Sequence, residues 1–303
     1  MRRKSRRLFS ALLTVTIATL VAAATTVDAH WKEGLQQWRE HRAQELSAPD
    51  GWLALVGLEW LHPGNNSFGS AGNNRIWLNA KVAEHLGVLE LKGNEVYLSA
   101  PASSLQLNGA PAHEAKIDTD GANPTVLKAG TLTLLVIHRG DRYALRIKDS
   151  QAPTRIHFHG LHWYAPDYHY RIEAKWIPFS SPREERIPTI IGTTLKLPAP
   201  GLAEFTIEGH VVQLEPVIEQ PGDKQLFFIL RDTTSKTTTY GAARFLYADF
   251  PNNGLDRPGN VVLDFNRLQN PPCAYTPYAT CPLPPSQNKL AIALPVGEQR
   301  YSH

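Results

Sequence analysis

The sequence predicts a mainly β fold, antiparallel sheets of sandwich or barrel-like form with one N-terminal helix. From Trp52 onward, short runs show a period of two rather than 3.6, the pattern of strands with one face buried. Turn pairs such as Lys92-Gly93-Asn94, Asn108-Gly109 and Gly140-Asp141 separate these runs, and their chemistry suits tight hairpins. One clear stretch has helical spacing: Trp31, Leu35, Trp38 and Leu46 fall near one face and Pro49-Asp50-Gly51 follows, so residues 31–47 are expected to form a helix packed on the main body.

Ahead of the fold, residues 1–29 read as an export signal. Arg2, Arg3, Lys4, Arg6 and Arg7 form a basic head, Leu8 to Ala24 is uncharged and apolar, and Val27-Asp28-Ala29 offers small residues for cleavage. The apolar stretch is short and rich in Ala and Thr, which argues against a membrane anchor. The mature chain would start near His30 in a periplasmic or secreted location. Ser5-Arg6-Arg7-Leu8-Phe9 partly resembles the twin-arginine signal of folded exports. The full chain carries +3. Removing five basic residues and one acidic residue, Asp28, leaves the mature protein at −1. Basicity therefore belongs to the signal, and nucleic acid or a stable membrane attachment is not expected as a partner. A small-molecule ligand or substrate is.

Strands are expected at 52–61, 75–78, 88–91, 96–98, 105–107, 131–138 and 142–148. Further runs are 154–163, 170–177, 189–197, 203–214, 225–230, 243–247, 261–265 and 289–294. The break at Asp118-Thr-Asp-Gly-Ala-Asn-Pro124 suggests a helix plus small β-sandwich over 30–120 and a main β domain over 121–303. In the first part, Gly69-Ser70, Asn74-Arg75-Ile76, Leu89 and Leu107-Asn108-Gly109 faintly resemble forkhead-associated modules. That resemblance implies a small sandwich; the residues that read phosphothreonine have no match.

The densest polar signature is C-terminal: Asp264-Phe265-Asn266-Arg267, Asn270-Pro271-Pro272-Cys273, Cys281-Pro282-Leu283-Pro284-Pro285 and Asn288. Asp264 and Asn266 alternate at a strand end and should share a face. With Arg267 and Asn270 beside them they could orient water, hold a hydroxylated ligand or bind a hard cation. Equally, such side chains could satisfy the backbone of a proline-broken coil. Cys273 and Cys281, eight apart in an oxidising compartment, are expected as a disulfide worth about 2.5 kcal/mol. His157 and His159 would share a strand face with His162 close by, a weak candidate for half a metal site. Arg142, Arg146 and Lys148 line one face of a strand whose other face holds Tyr143, Leu145 and Ile147. A solvated sheet face is the ordinary outcome; an anion-binding stripe is the alternative. Gly-rich phosphate loops, Gly-x-Ser-x-Gly elbows and His-Glu-x-x-His helices are absent from the sequence.

Taken together, Trp38-Arg39, Gly51-Trp52-Leu53, Gly57-Leu58, Trp60-Leu61, Phe68-Gly69-Ser70, Arg139-Gly140-Asp141-Arg142 and Arg146-x-x-Asp149 resemble a bacterial and archaeal domain-of-unknown-function family. Tyr240-Gly241, Arg244-Phe245-Leu246, the C-terminal signature and Gly297-Glu298 complete the likeness. It brings no activity or cofactor. It does imply weight for Arg139, Arg142, Arg146, Arg244 and Tyr240 as ligand contacts and lowers that of the histidines. An exported enzyme, with a hydrolase as one form, would use Asp264 as base, Asn266, Asn270 and Asn288 as polar positioners beside Arg267, and the arginines as an anion clamp. The alternative is a non-enzymatic ligand-binding or envelope-interaction protein. A concavity holding Asp264, Asn266 and two of Arg142, Arg146 and Arg244 would favour the enzyme, whereas arginines on separate faces would exclude that arrangement. A cofactor loaded before export, a metal at the histidines, or neither, all stay open.

Overall fold

The computed structural model describes residues 29–302; the basic head and apolar stretch of the expected export signal lie outside the described residues. Helix α1 occupies 29–47. Its stripe buries Leu35 and Leu46, and Trp38 packs edge-on against Trp163 at 5.6 Å. At Gly51 the chain doubles back so closely that a Cβ would lie 2.4 Å from the Glu45 carbonyl oxygen, room that only glycine leaves.

The strands that follow are β1 (Leu55–Trp60), β2 (Gly64–Gly69), β3 (Ile76–Trp77), β4 (Gly87–Lys92), β5 (Glu95–Ser99) and β6 (Gln106–Leu107). After them come β7 (Ala110–Pro111), β8 (Ala115–Ile117), β9 (Val126–Ala129), β10 (Leu132–Arg139) and β11 (Arg142–Asp149). They form a sandwich with sheet orders β1-β11-β10-β9-β6-β7 and β3-β2-β4-β5-β8. Phe68, Leu89 and Leu98 from one sheet meet Leu134, Leu145 and Ile147 from the other in a single core. This core runs through the Asp118–Pro124 break, because β9 to β11 share a sheet with β1 and pack on strands that precede it. The alternation in β11 holds, with Tyr143, Leu145 and Ile147 in the core.

Strand β2, Gly-Asn-Asn-Ser-Phe-Gly, has no alternating apolar signal. A fully buried Asn66 stabilises it by accepting from His62 N and donating to the carbonyls of His62, Gly64 and Leu89. The strand expected over 154–163 does not form. Pro153 supplies the first helical φ of a one-turn helix, α2 (Pro153–Ile156), and irregular chain follows. Residues 289–294 are likewise no strand; a bridge from Arg231 to Lys289 and a hydrogen bond from Thr233 N to the Ile292 carbonyl hold them beside 231–233.

The second body contains β12 (Arg171–Pro188), β13 (Thr194–Ile207), β14 (His210–Leu214), β15 (Gln225–Leu230), β16 (Arg244–Asp249) and β17 (Gly259–Asp264). An open sheet β14-β13-β12-β17 packs on the β15-β16 ribbon. Trp176, Phe205, Phe228, Leu246 and Leu263 fill the core between them. The ribbon's other face is also covered. Beyond an irregularity between Pro178 and Arg183, the long β12-β13 arm continues and brings Ile187, Leu195, Leu197 and Ala199 against Phe227, Ile229 and Phe245. The sheets do not close into a barrel.

After β17 the chain forms short 3-10 turns and acts as a strap. Ala274 and Tyr275 pack on Leu46 of α1 and on Leu53. Thr276 Oγ1 donates to the Leu55 carbonyl at 3.0 Å, and Leu283 N donates to the Pro188 carbonyl at 2.7 Å. Residues 274–283 thereby tie the sandwich, the helix and the second body together.

Candidate functional site

The C-terminal polar side chains are mostly turned inward. Asp264 caps the turn Phe265–Arg267 by accepting from Asn266 N at 3.2 Å and Asn266 Nδ2 at 3.0 Å. Its second oxygen accepts from Trp31 Nε1 of α1 at 2.8 Å. Asn266 is fully buried and bonds both backbone groups of Asp167. Arg267 lies outside, 3.9 Å from Asp264 and with its guanidinium 5.7 Å from the Trp38 ring centre. Asn288, also fully buried, accepts from Glu215 N and donates to the carbonyls of Glu215 and Ile229. Asn270 donates to Glu298 at 2.8 Å and to the Gln299 carbonyl at 2.7 Å, leaving its buried Oδ1 without a donor. Asp264 and Asn266 thus satisfy backbone and capping groups together at one turn, and Asn288 does so at another place.

The arginines also part company. Arg244 is wholly buried; it pairs with Asp232 at 2.9 Å and donates to the Leu294 and Val296 carbonyls. Arg142 is exposed and stacks 3.9 Å over the Trp60 ring. Tyr240 donates to the Cys273 carbonyl at 3.0 Å. The single concavity that an Asp264-centred enzyme requires does not form. Nor is there the expected disulfide: Cys273 and Cys281 are free thiols, adjacent enough for Cys273 N to donate to Cys281 Sγ at 3.1 Å. His157, His159 and His162 are exposed on irregular chain rather than a shared strand face. Among the described residues no group of three or more His, Cys, Asp or Glu could hold a metal ion.

Arg139 and Arg146 do meet the C-terminal segment, in a cavity of about 420 Å³ between the sandwich and the second body. Such concave sites are where small ligands bind. The β11 face expected to be solvated is covered here by the C-terminal strap and the β15-β16 ribbon, so Arg146 retains only 8% exposure. Arg139 bridges the bodies by pairing with Asp120 at 2.6 Å and donating to Thr280 Oγ1 at 3.0 Å. Arg42 of α1 pairs with buried Glu298 at 2.9 Å and donates to the Asn270 carbonyl. Tyr275 donates its hydroxyl to the same carboxylate.

Arg146 has no such partner. Its buried Nε is unbonded, and among the described residues no carboxylate lies within ion-pair distance. What it has is the Trp52 ring, 5.2 Å from its guanidinium carbon. Burial, reinforced by the nearby Arg139 charge, lowers its pKa to about 10, against the weaker pull of Asp120 and Cys281. It therefore stays charged at neutral pH. Glu219 stands exposed at the rim, yet desolvation against the wall raises its carboxyl pKa, partly opposed by the Tyr247 hydroxyl that donates to it at 3.2 Å.

Sequence reasoning placed Arg139, Arg146 and Asn270 among the site residues. It missed the partners as site residues: Trp52, Phe227 and Phe245 fell within expected strands and Arg42 within the expected helix. The available signal was the family resemblance, which held Trp52, Phe245 and Glu298 within its matched motifs.

Residues 156–299 match a family model described as a protein of unknown function (DUF1684), so this part of the chain is similar to an uncharacterised family. The matched segment supplies the ribbon, strap and rim of the cavity; Arg139, Arg146 and Trp52 come from the sandwich ahead of it. The chain is also similar to an uncharacterised protein of Haloarcula marismortui solved by NMR, with 28% identity, coverage of 48% of this chain and 79% of that one, and a TM-score of 0.41. No curated protein matches.

Proposed function

We propose that the protein is an exported binder of a small anionic molecule, held in the cavity between the two β bodies with Arg146 as its anchor. The observation that carries this reading is a buried guanidinium facing a cavity with no hydrogen-bonding protein partner. A buried charge left alone costs several kcal/mol, whereas an arginine fork met by an anion makes two charge-assisted hydrogen bonds. Export rests on the N-terminal sequence, and a cut near His30 would leave α1 intact over 30–47. A periplasmic or secreted location follows from that segment. The signature from Asp264 to Asn288 serves largely as scaffold, and Asn270, Tyr275, Thr280 and Pro282 are among its contributions to the wall.

Hydrolysis of the bound anion is a second reading. Glu219 favours it, since burial raises its carboxyl pKa above the ordinary value and the Tyr247 hydroxyl donates to it, a pairing suited to proton exchange with a bound guest.

Anion binding is tested by thermal shift over a panel of small carboxylates, phosphates and neutral analogues, with wild type and Arg146→Met in parallel. Stabilisation by some anions, absent in the variant, is expected. Equal responses from both proteins would overturn the reading. Mass analysis of protein recovered from its native compartment should find the chain starting near His30.

A further inference from the structure

We infer that the anion is a monocarboxylate carried on an apolar body, and that the cavity disfavours phosphate dianions; this deepens, and rests on, the anion-binding reading of the same cavity. The charges around the space support one negative charge. Arg139 is matched by Asp120 and Arg42 by Glu298, both as close ion pairs. Arg146 is the remaining cation of the wall, and Glu219 stands at its rim. A ligand with two charges would bring its second one near Asp120 and Glu219 with no cation to receive it. Asn270, a wall residue, keeps a buried Oδ1 with no donor behind the same surface. In a partly desolvated space like-charge contacts are costly.

Much of the remaining wall is apolar. Leu46, Leu195, Leu197, Phe227, Phe245 and Pro282 present apolar surface. The aromatic part is rigid: Phe227 meets Phe245 edge-on at 4.9 Å and stacks on Tyr247 at 4.7 Å. The volume, about 420 Å³, lies toward the lower end of the roughly 300–1,000 Å³ usual for ligand sites. A body of aryl or branched aliphatic character would gain from leaving water there, at about 25 cal/mol per Å² buried. A single planar carboxylate would meet the guanidinium fork with two parallel hydrogen bonds.

Calorimetry on the mature chain at pH 8 separates these claims with four probes: 3-phenylpropanoate, phenyl phosphate, propanoate and 3-phenylpropanol. Phenyl phosphate is a dianion there, its second pKa being about 6. The expected order places 3-phenylpropanoate at least about tenfold tighter than each of the others, a difference of about 1.4 kcal/mol. Its binding should be lost in Arg146→Met and in Arg146→Gln; two replacements guard against one that folds poorly. Phenyl phosphate binding as tightly as 3-phenylpropanoate, with both lost in the variants, would overturn the monocarboxylate inference and leave anion binding standing. Propanoate matching 3-phenylpropanoate would remove the apolar requirement in the same way. If no probe bound in an Arg146-dependent manner, both readings would fall together.

Discussion

Replacing Arg146 with Met should make the ligand-free protein more stable while removing its affinity for anions. Folding lowers the guanidinium pKa well below its ordinary value, to about 10, and each unit of difference corresponds to about 1.36 kcal/mol. The charge therefore opposes folding by about 3 kcal/mol. The sign follows from proton affinity: the unfolded chain binds this proton more tightly, so the penalty is full below pH 10 and fades as pH rises beyond it toward the ordinary guanidinium range. Methionine has similar length and no charge to desolvate. It gives up the cation–π contact with Trp52, worth about 1 kcal/mol. The net gain at pH 7 is about 2 kcal/mol, which agrees with the effect of replacing buried ions by apolar residues. At roughly 2–4 °C per kcal/mol for a chain of this size, the melting temperature should rise by about 4–8 °C. Urea and thermal denaturation in a buffer of low anion content would measure it. A variant less stable than the wild type by 1 kcal/mol or more would show that Arg146 is satisfied within the fold, and the anchor reasoning would fail.

Three further outcomes are expected. Asp232→Ala should cost about 3–5 kcal/mol, because it strands the wholly buried Arg244 charge, and a urea midpoint shift would report it. Asn288→Ala should cost about 3 kcal/mol by leaving Glu215 N, Glu215 O and Ile229 O without partners, with no change in affinity for a cavity ligand. Affinity for a carboxylate probe should not depend on Arg146 ionisation through neutral pH and should fall above pH 10 as the guanidinium loses its proton, a decline visible in calorimetry at stepped pH.

The strands that sequence reveals are those with one wet and one dry face. In β11 the alternation of Tyr143, Leu145 and Ile147 with Arg142, Arg146 and Lys148 assigns the core side correctly. Strand β2 escapes because its buried centre is Asn66, whose worth lies in four local hydrogen bonds rather than in hydrophobicity. Segment 154–163 misleads for the opposite reason: its alternation is genuine in the sequence, but Pro153 sets a helical turn that the pattern cannot register. The dense Asp-Asn-Pro segment was correctly marked as unusual. Its side chains are nonetheless spent largely on backbone groups of a strap with no strand partner.

What sequence could not show is that the second face of β11 is not free. Arg142 and Arg146 lie on that one strand, yet one stacks in the open on Trp60 and the other is buried beneath residues more than eighty positions later. The difference is made by the strap. Its Thr276 and Thr280 bond the sandwich at Leu55 and Arg139, while Leu283 bonds Pro188 of the second body. With the strap fixed to both sides, the spacing between the bodies is set by hydrogen bonds around the cavity together with the packing of Trp52 on the ribbon cluster. The walls therefore cannot simply collapse onto Arg146 to supply the partner it lacks. An apolar side chain at position 146 would relieve the charge but remove the anchor, and a carboxylate from the wall would neutralise it permanently. Keeping the cation buried, charged and unpaired at neutral pH leaves room for a partner brought from outside, and the clamps of the C-terminal segment preserve that room.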